Sequence, residues 1–172
     1  DSVEFREAAT RDRGARVARA RMLDARLNPT SGLLEEARFT GSFRFEDGAL
    51  RAQSAEAAYR ITSSALDLRG RDNNLPPSVS DESIRIDGDA IDITLAPRRM
   101  VARGNVRSVL QPTGGKAGGA KRPGLLGDAD PVNVIAAEMT YDEEARQALY
   151  GGGARMLQAD TVIQADSIAL DE

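Results

Sequence analysis

The apolar residues of this chain alternate with polar ones, and at intervals the alternation slips by one position. The last 14 residues, ADTVIQADSIALDE, show it plainly. Ile163 and Ala165 keep one parity, then Ile168 and Leu170 keep the other. The slip has a form: a small residue, two of any kind, an apolar one, any, an apolar one. Another small or apolar residue stands two positions before it. The form starts at Ala20, Ser54, Gly88, Ala136 and Ala165, at intervals of 34, 34, 48 and 29 residues. The long interval contains residues 111–131, QPTGGKAGGAKRPGLLGDADP, a Gly/Pro-rich surface loop or linker. Without it the spacing is about 30 residues, which is the range of repeat architectures.

A second pattern follows each of the first four slips: apolar, any, apolar, any, glycine. Ala37 and Phe39 lead to Gly41, Leu66 and Leu68 to Gly70, Met100 and Ala102 to Gly104, and Ala148 and Tyr150 to Gly152. An apolar residue and an arginine then follow in Phe43-Arg44, Val106-Arg107 and Ala154-Arg155, whereas the second unit has Asp72-Asn73. Alternation with period two describes a strand with one buried face. A slip of parity, or a glycine within a strand, marks a bulge or a sharp bend. Each unit therefore reads as a bent hairpin, and the final slip as the first half of a fifth. Apolar recurrence at i, i+2 and i+4 argues against helix. Glu4–Ala9 admits either a short helix or a strand carrying Val3 and Phe5. The expected fold is all-β: stacked bent hairpins forming an open V-shaped β-jellyroll, one domain over residues 1–172 with a flexible insertion at 111–131.

Composition narrows the function. Only 4% of residues are aromatic against 41% hydrophobic, so the core must come mainly from Ala, Val, Ile and Leu. The net charge is -4, without the basic surplus expected of a nucleic-acid binder. There is no cysteine, which excludes disulfides, thiolate metal sites and Cys nucleophiles. There is no histidine, the commonest general base and metal ligand. The acid pairs Asp87/Asp89 and Glu143/Glu144 lack the order of a calcium loop. Gly151–Gly153 has no helix after it to make a phosphate cradle. No nucleophile–base pair stands out, so no catalysis, metal or cofactor is expected. No apolar run approaches the roughly 20 residues of a membrane-spanning helix. The start at Asp1 is compatible with a removed leader or with a piece of a longer protein.

The strand Ala165-Asp166-Ser167-Ile168-Ala169-Leu170 and the turn Gly104-Asn105-Val106-Arg107 resemble the OstA-like family, as do the phrases 91–107 and 150–172. That family comprises the LptA and LptC periplasmic components of lipopolysaccharide transport and the N-terminal domain of LptD. The resemblance covers most of residues 17–172 apart from the 111–131 insertion, which departs from the family pattern. It implies a periplasmic β-jellyroll that joins end to end with other such domains through its edge strands. It also implies an apolar groove for acyl chains of lipopolysaccharide or a related lipid.

On that reading the inward row is the candidate lipid-binding groove: Leu23, Phe39, Phe43, Phe45, Tyr59, Leu68, Ile86, Ile91, Ile93, Met100, Val106, Met139, Tyr150, Met156, Ile163 and Ile168. Many alanines among large residues favour an incompletely filled lumen. The bland counterpart is a closed core, which alternating apolar positions form in most sheets. Arg44, Arg107 and Arg155 would lie at equivalent places along the stack and contact lipid phosphates, or else be solvated surface charge. The rival function is an assembly scaffold with a closed interior, binding protein partners by strand addition at its open edges.

Overall fold

The computed structural model describes residues 2–11, 14–112 and 130–171; the predicted insertion lies, from 113 to 129, outside the described residues. Every regular element among them is a strand. In chain order these are β1 (Val3–Glu7), β2 (Arg16–Ala20), β3 (Met22–Leu27), β4 (Leu34–Asp47), β5 (Leu50–Arg60), β6 (Ala65–Arg69) and β7 (Ser78–Ser80). There follow β8 (Ile84–Asp87), β9 (Ala90–Leu95), β10 (Arg98–Leu110), β11 (Val132–Asp142), β12 (Gln147–Gln158) and β13 (Thr161–Asp171). The segment at Val3 and Phe5 is strand β1, so the helical alternative for Glu4–Ala9 falls. All pairings are antiparallel, in the order β1-β2-β4-β5-β6-β9-β10-β11-β12-β13. β3 lies on β4, and β7 and β8 bridge from β5 to β10.

The strands β4, β10 and β12 each bend at a glycine, Gly41, Gly104 and Gly152. Gly104 has φ 74° and Asn105 φ 49°; Gly152 has φ 75° and Gly153 φ 84°. Two consecutive left-handed residues turn the chain and add one position to it. Thus Ala102 pairs with Met139 and Val106 with Ala136, four positions on β10 against three on β11. That is a bulge, and it accounts for the slip of parity on the neighbouring strand. The glycine is needed for space as well as for φ. A Cβ at Gly152 would lie 2.5 Å from the Cβ of Ala137, the residue just after the slip at Ala136. The backbones meet there too: the Asp89 N–H donates to the Gly104 carbonyl at 2.8 Å, and the Arg21 N–H to that of Gly41 at 2.9 Å.

The bends divide the sheet into two arms. One arm holds β3, β6, β9 and the halves of the long strands toward the tips Asp142 and Leu95. The other holds β1, β2, β7, β8 and the opposite halves. The second unit departs from the rest, as Asp72-Asn73 suggests. Between β6 and β7 the chain loops out through Arg71–Pro77, with Asn73 and Asn74 at positive φ and two prolines that have no N–H to donate.

The open V is corrected in one respect. From β5 the pairings run through β6 and β9 to β10 in one arm, and through β7 and β8 to β10 in the other. They therefore close on themselves in a ring of six strands. The arms face each other, and their apolar surfaces meet. Phe39 of one arm lies 5.1 Å from Phe43 of the other, ring centre to ring centre, and Tyr59 lies 6.2 Å from Phe45.

Candidate functional site

Cross-strand register places the candidate interior residues in continuous rows. In the first arm one row runs Leu23–Phe39–Ala57–Leu68–Ile91–Ala102–Met139–Tyr150–Ile168. Nearer the tip lies a second, Ala37–Tyr59–Leu66–Ile93–Met100–Tyr141–Ala148–Leu170. In the other arm the row is Phe5–Ala18–Phe45–Ala52–Val79–Ile86–Ser108–Val134–Met156–Ile163. Phe43 and Val106 sit beside the bend and are fully buried. Of the 16 candidates, Leu23 and Ile163 are partly buried against the core and the others are buried within it. The interior is therefore an apolar slot running along the stack, and in this structure its walls are in contact.

The arm tips differ along the slot. At the N-terminal end Phe5 reaches across from β1 to stack edge-on against Phe39 and Tyr59, each at 6.2 Å. Arg16 is 2% exposed and fastens the arm tips there. Its Nε donates to Asp47 at 2.9 Å and its Nη1 to the Tyr59 hydroxyl at 2.9 Å. Nη1 also lies 3.6 Å from Glu7. Glu7, Arg16 and Asp47 are cross-strand neighbours in one inward row, while Tyr59 belongs to the opposite arm. The Tyr59 hydroxyl in turn donates to Glu7 at 2.6 Å. Burial, reinforced by the bond to the Glu7 carboxylate, pushes the Tyr59 pKa up to about 12.

Further along, the tips of β7–β8 and of β9–β10 face each other over an apolar cavity of about 50 Å³. Leu50, Ile84, Met100 and Leu170 line it, with Arg98, Asp81 and Tyr150. That volume exceeds the roughly 10–15 Å³ that one water needs. It falls far short of a whole acyl chain. Arg98 Nε and the Tyr150 hydroxyl are both buried with no hydrogen-bond partner. Burial raises the Tyr150 pKa to about 12, with the nearby Ser108 hydroxyl pulling the other way. Tyr150 and Ser108 are close enough to interact, but neither hydroxyl forms a bond of good geometry.

The arginine row takes a different place. One register line on the outer face runs Glu4–Arg19–Arg44–Gln53–Ser78–Asp87–Arg107–Ile135–Arg155–Gln164. Arg44, Arg107 and Arg155 are thus aligned, and they point away from the slot. Arg44 donates to the Phe43 carbonyl at 2.8 Å and to Asp72 at 3.3 Å. The acid pairs have local work. Asp89 accepts from Asn105 and Arg71, Asp87 pairs with Arg85, and Glu143 accepts the Arg98 backbone N–H at 2.9 Å. On the outer face of the first arm, burial opposes ionisation of Asp92, but hydrogen bonds from Arg69 and Arg103 outweigh it and hold its pKa below the usual range. Among the described residues no three potential metal ligands converge, and no helix is long and apolar enough to cross a membrane.

Arg16, Ser108 and Arg98 were absent from the sequence-derived set, although parity carried the signal. Arg16 shares the inward parity of Ala18 and Ala20, Arg98 that of Met100 and Ala102, and Ser108 that of Val106 and Leu110.

No family model matches this chain, and no curated protein sequence does. Among solved structures it is similar to LptH of Pseudomonas aeruginosa, described as the LptA-homologous periplasmic component of the conserved lipopolysaccharide transport device. The TM-score is 0.55 at 13% identity, over 70% of this chain and 73% of that one. The chain therefore has an LptA-like fold.

Proposed function

We propose that this chain is a non-enzymatic bridge module of the periplasm that carries lipopolysaccharide toward the outer membrane, with the acyl chains between the two arms. The observation that carries the proposal is the pair of facing apolar rows, which run the length of the stack. The fold likeness to a lipopolysaccharide-transport component supports it. Acyl chains enter when the arms part, replacing wall-to-wall contacts with contacts to lipid, an exchange of one apolar surface for another. The partners are other jellyroll domains joined head to tail at the edge strands β1, β3 and β13. The test is photocrosslinking in cells with a photoreactive residue at Ile91, which faces inward, and at its outward neighbour Asp92. A lipopolysaccharide adduct at 91 and none at 92 is expected. A folded, exported protein without an adduct at 91 refutes the proposal.

One observation favours a second reading: the cavity between the arm tips has a volume of only about 50 Å³. A scaffold with a permanently closed core would look the same, and would bind protein partners through its edges alone. It predicts insensitivity to lipid, a loss on charging the buried Ile91 that follows folding alone and is relieved by compensating core substitutions, and strong sensitivity to charge placed on β13.

A further inference from the structure

Two arginines occupy inward-facing positions at arm tips, and they are treated in opposite ways. Arg16 is surrounded by Asp47, Glu7 and the Tyr59 hydroxyl. Arg98 has no side-chain hydrogen bond or ion pair among the described residues, and its Nε is sealed from solvent. Arg98 as a whole is half-buried, and the cost falls on the Nε–H, a buried donor left without a partner at the edge of an apolar cavity. The acid that lines the cavity, Asp81, uses one carboxylate oxygen in its own turn. Its Oδ1 accepts from the Ser83 N–H and hydroxyl, each at 2.8 Å, and from the Ile84 N–H at 3.0 Å. Glu143 is engaged with the Arg98 backbone rather than its guanidinium. Tyr150 supplies a second buried donor without a partner on the same cavity.

From this geometry we infer that Arg98 is the anion clasp of the slot: it binds the phosphate or carboxylate head of an amphiphile whose chain lies between the arms. The inference rests on the lipid-carrying reading above and assigns its polar end. A guanidinium accepts such a head with two parallel N–H···O bonds, and the apolar wall beside it takes the first methylenes. The outward row of Arg44, Arg107 and Arg155 cannot serve, because alternation sends those side chains to the opposite face of the sheet. The slot thereby has a polarity, fastened at the Arg16 end and receptive at the Arg98 tip.

The test uses the full chain with dodecyl phosphate, with dodecyl maltoside as the neutral head on the same chain, and with inorganic phosphate. Binding is followed by the amide spectrum and by the Arg98 Nε–H resonance. Arg98→Gln is compared with Arg99→Gln, whose side chain points outward to Asp142. The expected result is that Arg98→Gln weakens dodecyl phosphate about 10- to 100-fold and leaves dodecyl maltoside unchanged, while Arg99→Gln alters neither. If the unsubstituted protein binds both amphiphiles and Arg98→Gln changes neither, the clasp is refuted and the lipid-carrying reading stands. If it binds neither amphiphile, both fall. If inorganic phosphate binds as tightly as dodecyl phosphate, Arg98 is a free-anion site and the clasp is refuted.

Discussion

Replacing Arg16 with methionine should cost about 3–5 kcal/mol of stability, the range for removing one partner from a buried ion pair. Methionine keeps the apolar stem but removes the bonds to Asp47 and Tyr59, both at 2.9 Å, and the proximity of Glu7 at 3.6 Å. Two carboxylates are then left on β1 and β4, on either side of β2, with no cation between them. For a chain of this size, each kcal/mol corresponds to about 2–4 °C in melting temperature, so the loss should reach about 6–20 °C. The loss should also be local. Hydrogen exchange should accelerate at the tips of β1, β2, β4 and β5, where the arms are fastened, and stay near its original rate in β11–β13. Adding Glu7→Gln and Asp47→Asn to Arg16→Met should recover part of the stability, because the uncompensated charge is gone. Urea denaturation of the single and triple variants measures both terms. A loss under about 1 kcal/mol for Arg16→Met, against the range above, would show that the network does not hold the arms together.

Two further perturbations test the bend and the buried tyrosines. Gly152→Ala combines a left-handed φ with a Cβ contact of 2.5 Å to Ala137, and should cost about 2–5 kcal/mol by urea denaturation. Ala137→Gly should restore the steric part and not the φ part; full restoration would show that φ carries no strain here. Tyr59 and Tyr150 both have pKa values raised to about 12, so each keeps its proton in the folded chain at a pH where the unfolded chain has lost it. The tyrosine contribution should be constant below about pH 10, and stability should fall by about 1.4 kcal/mol per pH unit per tyrosine between about pH 10 and 12. A urea midpoint that stays level across that window contradicts the assignment.

The all-β class and the inward residues were legible because parity is a local property. The 16 candidates picked by parity, from Leu23 to Ile168, lie in the core or pack against it. The bends were legible too, since a glycine at positive φ and a small residue opposite it leave a mark in the sequence. The closed ring was not legible. It depends on β7 and β8 bridging β5 to β10, and those short strands follow the irregular loop Arg71–Pro77, where the pattern lapses. The outward face of the arginine row followed from counting through the bulge: Arg44 comes directly after the inward Phe43. The partners of Arg16 were hidden for another reason. Glu7, Asp47 and Tyr59 come from three separate strands, and only register across the sheet and contact between the arms brings them to one guanidinium.

The inward arginines also bear on how an apolar slot can be both stable and openable. Two facing sheets of Ala, Ile, Leu and Phe would close along their whole length, since burial is favourable and non-directional. Nothing in such a core says where it should part. A buried ion pair adds little net stability over an apolar substitute, but its loss is expensive, so Arg16 defines a place where parting is penalised. Arg98 does the reverse. Its unsatisfied Nε makes the closed state poorer at that tip, so a ligand anion gains there what the closed protein lacks. The same residue type at the same kind of position thus has opposite effects, set by whether carboxylates stand beside it. Exchanging the two environments, with an acid introduced near Arg98 and Asp47→Asn near Arg16, should move the readily opened arm tip from the middle of the stack at Arg98 to its N-terminal end at Arg16, read by hydrogen exchange at the two tips.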